Sequence, residues 1–309
     1  MDAESRIFIA GHRGMVGSAI KRTLLQYGYD NLVTRTRQEL DLTDQRQVEL
    51  FFTQEKPDYV FLAAARVGGI LANYKYPAEF IYENLTIQTN IIHNAYLNGV
   101  KKLLFLGSSC IYPRDALQPI KEDYLLSGKL EKTNEAYAIA KIAGIKMCQS
   151  YNKQYGTNYI ALMPTNLYGP GDNFDLETAH VLPALIRKYH EAKVKKIPFI
   201  QIWGTGTPRR EFLFVDDLAE ACIFLMKEYD SSEIINIGAG TDLTINELAA
   251  VVSKVVDYNV EIKRDLTKPD GPNQKLLDLT RIKQAGWQAK TDLLSGIEIT
   301  YNWYLKQKL

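Results

Sequence analysis

Residues 6–17 read RIFIAGHRGMVG, an apolar strand followed directly by three glycines with two residues between each pair. The glycines open the first predicted helix, so backbone N–H groups and the positive end of that helix can face a pyrophosphate. Spaced glycines alone are weak evidence, but a strand, a glycine loop and a helix in this order predict dinucleotide binding. The alternative is that the glycines serve only close packing of helix on strand. The predicted contacts are Gly11, His12, Arg13, Gly14, Met15, Val16 and Gly17.

Short apolar runs alternate with helical patterns along the first half of the chain. Repeated strand–helix–strand order predicts a parallel sheet with helices on both faces, a Rossmann-type doubly wound α/β fold. The predicted strands are 6–10, 32–35, 58–64, 102–107, 159–164 and 234–238, and the predicted helices are 18–27, 44–54, 78–98 and 135–155.

The remaining segments do not continue this repeat and predict a smaller, interleaved C-terminal α/β lobe that binds substrate. We expect residues 1–170 to form the nucleotide-binding domain, with 205–240 returning to it, and 171–204 and 241–309 to form the lobe. Thr244 and Glu247 predict a capping box at the start of a helix. Helices are predicted at 182–192 and 244–256, and strands at 199–203 and 260–263.

Composition limits the classes of partner. The chain has 309 residues and a formal net charge of +1, which gives no field that favours nucleic acid or a membrane surface. We therefore expect a small-molecule substrate and no metal. The N-terminus is too acidic for a signal peptide, and no apolar run approaches the roughly 18 residues of a membrane span. Three cysteines without Cys-x-x-Cys spacing fit a reducing compartment, so a cytoplasmic protein is expected.

Arginines stand where an NAD-binding unit places an acid for the ribose 2′-hydroxyl. Residues 34–37 read Thr-Arg-Thr-Arg, and the two arginines, Arg35 and Arg37, suit a 2′-phosphate. Arg13, inside the glycine loop, is a second candidate, so the sequence favours NADP(H) over NAD(H). A solvated surface is the alternative explanation of these arginines. Asp41 and Leu42 lie where an adenine could rest.

Tyr137 and Lys141 lie four residues apart on a predicted helix, downstream of a strand that ends at Gly107 and Ser108. Four residues is just over one helical turn, so the phenol and the ammonium share a face. We expect the positive charge to lower the pKa of Tyr137 from about 10. Ser108 can hydrogen-bond the carbonyl that Tyr137 protonates. This layout predicts a ketone reductase; an exposed i, i+4 pair is the alternative.

Cys110 follows Ser108 by two residues, although the reduction of a ketone needs no thiol. A free cysteine is more often a small buried filler. Cys148 and Cys222, each on an apolar helical face, fit that role. Cys110 instead lies at the end of the strand that presents Ser108, near the expected cleft. The sequence therefore predicts a second chemistry beside reduction.

These motifs together resemble the extended short-chain dehydrogenase/reductases that act on nucleotide sugars. The segments that carry this resemblance are Gly11–Gly17, Ser108, Tyr137–Lys141 and Arg210–Asp216. A narrower resemblance, to the GDP-L-fucose synthase family of 3,5-epimerase/4-reductases, covers almost the whole chain. It depends on Gly107–Pro113, Pro164–Pro170, His180 and Lys268–Gly271.

The resemblance implies NADPH as cofactor and GDP-4-keto-6-deoxy-D-mannose as substrate, with GDP-L-fucose as product. It assigns Ser108, Tyr137 and Lys141 to reduction, and Cys110 and His180 to the epimerisations. The substrate contacts that it implies are Lys188, Trp203, Arg210 and Asp270. The further cofactor contacts that it implies are Leu106, Gly107, Ser108, Tyr137, Lys141, Pro164, Thr165, Asn166, Leu167 and His180. The residues alone leave open that His180 is a helix cap, Trp203 a core residue and Arg210 a surface charge.

The long predicted helices 78–98 and 135–155 match those that pair subunits in this superfamily, so a homodimer is expected. Two other functions stay open. A nucleotide-sugar 4-epimerase or 4,6-dehydratase would hold NAD tightly and need no thiol–imidazole pair. A non-catalytic, redox-sensing NADP-binding regulator would lack an intact set of Ser108, Tyr137 and Lys141. The order of the two epimerisations and the identity of the base also stay open.

Overall fold

The computed structural model describes residues 1–268 and 270–307. Pro269, within the predicted substrate-binding stretch, and residues 308–309 of the expected lobe lie outside the described residues. The strands are β1 (Ile7–Ala10), β2 (Leu32–Val33), β3 (Tyr59–Leu62), β4 (Lys102–Leu106), β5 (Tyr159–Pro164), β6 (Asn166–Tyr168), β7 (Phe199–Trp203), β8 (Arg209–Phe214), β9 (Ile235–Ile237), β10 (Asp242–Thr244), β11 (Glu261–Asp265) and β12 (Gln274–Lys275). The helices are α1 (Met15–Gln26), α2 (Gln45–Glu55), α3 (Ile70–Lys75), α4 (Pro77–Leu97), α5 (Glu135–Tyr155), α6 (Val181–Lys195), α7 (Val215–Glu228), α8 (Ile245–Val256), α9 (Thr280–Gln284) and α10 (Leu293–Gln307).

The central sheet is parallel, with the strand order β2-β1-β3-β4-β5-β9. β1 pairs with both β2 and β3, so the chain leaves β1 toward one edge and returns on the other side. Ligands of such sheets bind at the carboxyl ends of the strands that flank this reversal. β1 and β4 are buried along their whole length, as expected for strands covered by helices on both faces. The predicted Rossmann-type doubly wound α/β sheet is confirmed.

Helix α5 packs closely against β4 and α4. Gly144 allows this contact, because a Cβ at this position would lie 2.4 Å from Cζ of Phe105 on β4. Gln88 of α4 donates its side-chain amide to the backbone oxygen of Ala140 on α5, at 2.6 Å. The helix ends at Gly156, whose φ of 67° is left-handed. These contacts fix the position of the α5 residues that face the end of β4.

A second, smaller set of elements is built around β8. This strand pairs in parallel with β6 and β12 and antiparallel with β10, while β7 and β11 form a separate parallel pair. A separate cluster of buried residues, which includes Ile186 and Leu248, fills the space between these strands and α6, α8 and α10. Helix α8 begins with the predicted capping box, in which Thr244 accepts from the backbone of Glu247 and Glu247 accepts from that of Thr244.

The packing differs from the expected division at two places. β8 pairs with β10 and β12, although residues 205–240 were expected to return to the nucleotide-binding domain. Leu277, Ile282 and Trp287 belong to the core of the large sheet, although residues 241–309 were expected in the lobe. Their apolar side chains are buried there because α9 lies against β9. Among the helices of the described residues, none is both long and apolar enough to cross a bilayer.

Candidate active site

The glycine loop after β1 is closed so tightly that no side chain fits at Gly11 or Gly17. Gly11 has a φ of +87°, and a Cβ there would lie 2.8 Å from Cα of Ala64 beyond β3. A Cβ at Gly17 would lie 2.2 Å from the backbone oxygen of Gly11. Gly14, the residue before α1, has no side chain to cap the first N–H groups, which also lack intrahelical partners. The loop and Met15–Val16 therefore offer N–H donors to a pyrophosphate and fit a dinucleotide.

The arginines near the loop differ in their surroundings. Arg35 forms an ion pair with Glu55 and lies over the Phe51 ring at 5.7 Å. Arg13 and Arg37 are exposed and fit the 2′-phosphate of NADP(H) better than Arg35 does. Glu39, which was not considered in the sequence, is an exposed carboxylate next to these arginines. Its Oε2 accepts a hydrogen bond from the Thr36 N–H at 2.7 Å.

His12 and Asp41 have local roles beside this loop. Burial first, and then the charges of Lys21 and Arg13, lower the pKa of His12. Oδ1 of Asp41 accepts from the N–H and hydroxyl of Thr43 at 2.9 and 2.7 Å, which closes a turn. Leu42, the other residue predicted near the adenine, accepts through its backbone oxygen from Asn90 at 3.0 Å.

Ser108, Tyr137 and Lys141 meet at the carboxyl end of β4. The Ser108 hydroxyl accepts from the Cys110 N–H at 3.2 Å and hydrogen-bonds the Tyr137 phenol. Nζ of Lys141 donates to the backbone oxygen of Leu106 at 2.8 Å and lies 5.8 Å from the centre of the Tyr137 ring. Gly107 continues the strand edge, with its N–H donating to the Leu162 oxygen at 2.8 Å. The predicted hydroxyl–phenol–ammonium group is thus brought together.

The predicted effect of Lys141 on the phenol is absent from this geometry. Burial raises the pKa of Tyr137 above its ordinary value; the neighbouring Cys110 raises it further, and the Ser108 hydrogen bond opposes them. Lys141 is only 4% exposed, and burial lowers its pKa to about 7. A lysine with this pKa is only partly charged at neutral pH, so it does not by itself hold the resting phenol as phenolate. Tyr137 therefore stays protonated and is suited to donate a proton.

Cys110 lies in a 3₁₀ turn after Ser108, and Lys275 of β12 is its nearest cation. Nζ of Lys275 donates to Sγ of Cys110 at 3.4 Å. Burial raises the pKa of the thiol, but Lys275, the Ser108 hydrogen bond and Arg210 together outweigh it, so the net pKa is lowered. Cys148 and Cys222 are fully buried in the core, as predicted, and burial alone raises the pKa of Cys222.

His180 lies directly before α6 and makes no side-chain cap to that helix. His180 is exposed to solvent, although neighbouring protein removes part of the water around its ring. That surrounding protein first, and Lys275 second, lower the pKa of the imidazole. The charge of Lys275 thus acts on both Cys110 and His180.

The residues predicted to bind substrate continue from this site along the smaller set of elements. Trp203 is 41% exposed at the end of β7, with Nζ of Lys188 at 5.8 Å and Nζ of Lys268 at 5.5 Å from the ring centre. Asp270 accepts from the N–H and hydroxyl of Thr205 at 3.1 and 2.8 Å. Arg210 lies on β8 between Asp270 and Cys110, each of which acts on its charge.

The stretch Pro164–Leu167 joins the two sheets. Thr165 donates its hydroxyl to the backbone oxygen of Glu211 at 3.3 Å, and Asn166 donates its side-chain amide there at 2.8 Å. Glu211, within the Arg210–Asp216 segment, is fully buried. Lys275 was not predicted from the sequence, because it lies 165 residues beyond Cys110 and no local pattern marks it. Within residues 1–268 and 270–307, no cluster of His, Cys, Asp and Glu could hold a metal ion.

Comparison with known proteins agrees with this geometry. The NAD dependent epimerase/dehydratase family matches residues 7–238. The chain is 59% identical over 305 residues to GDP-L-fucose synthase 1 of Arabidopsis thaliana, covering 99% of this chain and 94% of that protein. It is 55% identical over 315 residues to GDP-L-fucose synthase of Escherichia coli (strain K12), covering 99% and 98%. A GDP-L-fucose synthetase structure from Naegleria fowleri bound to NADP has a TM-score of 0.92 and 26% identity, covering 100% and 96%.

Proposed function

The chain belongs to the NAD dependent epimerase/dehydratase family, and we propose on that basis that it converts GDP-4-keto-6-deoxy-D-mannose to GDP-L-fucose with NADPH. The observation that carries this proposal is the meeting of two proton-transfer groups in one cleft. Cys110 with Lys275 and His180 forms one, and Tyr137 with Ser108 the other. A simple reductase needs only the second.

Epimerisation precedes reduction, because the 4-keto group is what makes the C3 and C5 protons acidic. The Cys110 thiolate removes each proton, and the electron pair passes to the 4-oxygen as an enolate. Ser108 and Tyr137 hydrogen-bond that oxygen, which stabilises the developing charge. His180 returns a proton to the opposite face of the carbon, and the ketone is restored with inverted configuration.

Reduction uses the other side of the cleft. When bound, NADPH supplies the hydride that C4 receives. Tyr137, protonated because its pKa is raised, donates its proton to the 4-oxygen. Lys141, when protonated, stabilises the resulting phenolate and keeps the end of β4 in place through the Leu106 oxygen.

The cofactor lies, in this proposal, with its pyrophosphate on the Gly11–Gly17 loop and its 2′-phosphate near Arg13 and Arg37. The carboxyl ends of β4 and β5 would face the nicotinamide, through Leu106–Ser108 and Pro164–Leu167. The GDP part of the substrate would lie along the surface from Trp203 through Asp270 to Arg210. Lys188 and Lys268, each within 6 Å of the Trp203 ring centre, give this region positive charge.

The direct test is product identity. The protein is incubated with NADPH and GDP-4-keto-6-deoxy-D-mannose, loss of the reduced nicotinamide band is followed, and the product sugar is assigned by NMR. We expect GDP-L-fucose, with both C3 and C5 inverted. A product that is reduced at C4 but keeps the D-manno configuration at both centres would reject the epimerase half of the proposal.

We also propose that two copies pair through α4 and α5. Both helices present apolar side chains to solvent, among them Tyr82 at 64% and Ile139 at 43% exposure. Sedimentation of the wild-type protein is expected to give a dimer, and Tyr82→Glu combined with Ile139→Glu is expected to shift it toward monomer. Monomeric wild-type protein at micromolar concentration would reject this assembly.

A further inference from the structure

The segment that carries Lys275 is held from several sides. β12 pairs in parallel with β8, which places Lys275 beside Arg210. The Leu276 N–H donates to Oε1 of Gln118 at 2.8 Å, and the Leu277 N–H donates to Oε2 of Glu211 at 3.1 Å. The strand pairing and the bonds of the two residues that follow Lys275 fix the direction in which its side chain leaves the backbone.

The loop that carries Cys110 is joined to the same segment. The Ile120 N–H donates to the Leu276 oxygen at 2.8 Å, and the Asp278 N–H donates to the Ile120 oxygen at 2.8 Å. Below this bridge, Asn236 donates its side-chain amide to the Ile120 oxygen at 2.9 Å and accepts from the Tyr112 phenol at 2.6 Å. Residues 110–120 and 275–278 are therefore one framework, so the thiol and the ammonium keep their 3.4 Å contact.

Several charged or titratable groups face the thiol. Lys275 approaches from β12, Arg210 from β8, Tyr137 from α5, and Ser108 from the loop itself. His180, at the start of α6, is coupled to the same cation. Lys275 is the only one of these groups that is both cationic and in hydrogen-bond contact with Sγ, so it is the first candidate for controlling the charge of the thiol.

We propose that Lys275 is a positioning residue that keeps Cys110 as a thiolate in the resting enzyme, ready to remove the C3 and C5 protons. The inference rests on the proposed function for the fate of that proton, but not for the ion pair itself. The thiolate takes a proton from carbon and becomes a thiol, and the C–H electron pair becomes the enolate. Lys275 keeps its own proton throughout and acts only through the sulfur.

The test measures the charge of the thiol without any substrate. Iodoacetamide forms a thioether with a thiolate and releases iodide, so the alkylation rate rises with pH around the thiol pKa. Cys148 and Cys222 are buried, and Cys110→Ala identifies the label that belongs to Cys110. In Lys275→Met we expect the midpoint to rise by about one to two pH units, the usual effect of an opposite charge within hydrogen-bond distance.

Two further variants separate charge from structure. Lys275→Arg keeps the positive charge, and its midpoint is expected to stay close to that of wild type. Lys254→Met removes an exposed lysine on α8 as the matched control and is expected to leave the midpoint unchanged. NADPH affinity, measured for every variant, checks that the fold is intact. An unchanged midpoint in folded Lys275→Met overturns the proposal, whatever the wild-type enzyme does with GDP-sugars.

A second readout links the ion pair to the reaction. In D₂O at neutral pH, Lys275→Met is expected to incorporate deuterium at C3 and C5 about tenfold or more slowly, with the rate recovering as pH rises through the new midpoint. Reduction of the doubly epimerised ketone by the same variant should remain near the wild-type rate. A raised KM for the GDP-sugar with wild-type deuterium exchange at saturation would instead make Lys275 a substrate contact and overturn the proposal.

Discussion

The two sides of the cleft use the same kind of residue in opposite ways. Lys141 is buried beneath Tyr137, donates to a backbone oxygen, and has its pKa lowered to about 7. Lys275 reaches the cleft from another strand and donates to Sγ of Cys110, whose net pKa is lowered. Burial favours the neutral form of Lys141. The positive charge of Lys275 instead favours the thiolate form of Cys110. The effect of a lysine on an adjacent acid therefore depends on its burial and on the atoms that it contacts.

The sides also differ in how the chain assembles them. Tyr137 and Lys141 come from one helical turn, and Ser108 from the strand on which that helix packs. The thiol side joins Cys110 to His180 and Lys275, which lie on three separate segments. Tyr137 and Lys141 keep their relative positions as long as helix α5 is folded. Chemistry assembled across the cleft depends on the framework that joins residues 110–120 to 275–278.

The largest expected effect is on the phenol side. Tyr137→Phe removes the proton donor but keeps the ring that packs against Phe80, 6.3 Å away between ring centres. Hydride transfer to the 4-keto sugar should fall by about 10²–10⁴, while NADPH affinity should change little. Stopped-flow measurement of NADPH oxidation checks this. If Tyr137→Phe oxidises NADPH at the wild-type rate, the assignment of Tyr137 as the proton donor for reduction is wrong.

The second effect concerns stability and tests whether burial controls Lys141. Its pKa is about 7 in the folded protein and about 10.4 in the unfolded chain, so between these values the unfolded chain binds more protons. The free energy of unfolding should therefore gain up to about 1.4 kcal/mol per pH unit from this group as pH rises from 7 toward 10. Below pH 7 the burial cost is fully present.

Lys141→Met removes this pH dependence. Urea unfolding of wild type and variant at pH 7 and pH 9 should show the wild type gaining roughly 2 kcal/mol on the variant at the higher pH. Parallel pH profiles would mean that Lys141 keeps its proton in the folded protein. In that case the two lysines of the cleft would not differ in the way described above.

The smallest expected effect is on the affinity for NADPH. Arg37→Ala removes an exposed cation near the expected 2′-phosphate and should weaken NADPH binding by about tenfold while leaving NADH binding unchanged. Titration with each cofactor, followed by nicotinamide fluorescence, measures the ratio. Arg35→Ala is the matched control, because Arg35 is occupied by Glu55 and should affect stability more than cofactor preference.

Features that depend on residues close together in the sequence could be predicted. The glycine loop and the Tyr137–Lys141 pair could be read because their spacing matches one strand-to-helix turn and one helical turn. The pKa shifts of Tyr137 and Lys141 could not be predicted from the sequence, because they depend on how deeply the two side chains are buried. Lys275 stayed unrecognised because β12 is only two residues long and its position depends on pairing with β8, far away in sequence. The packing of Leu277, Ile282 and Trp287 in the core of the large sheet was not predicted either, since residues 277–287 have no periodicity that shows which core they join.

Separate chemistry on the two sides is tested most directly by deuterium exchange in D₂O, with GDP-4-keto-6-deoxy-D-mannose and no NADPH. Label at C3 and C5 is measured by NMR for wild type, Tyr137→Phe and Cys110→Ala. We predict rapid incorporation by wild type, incorporation reduced by no more than about tenfold in Tyr137→Phe, and none in Cys110→Ala. Incorporation by Cys110→Ala at the wild-type rate would contradict the account and return the cysteine to a packing role.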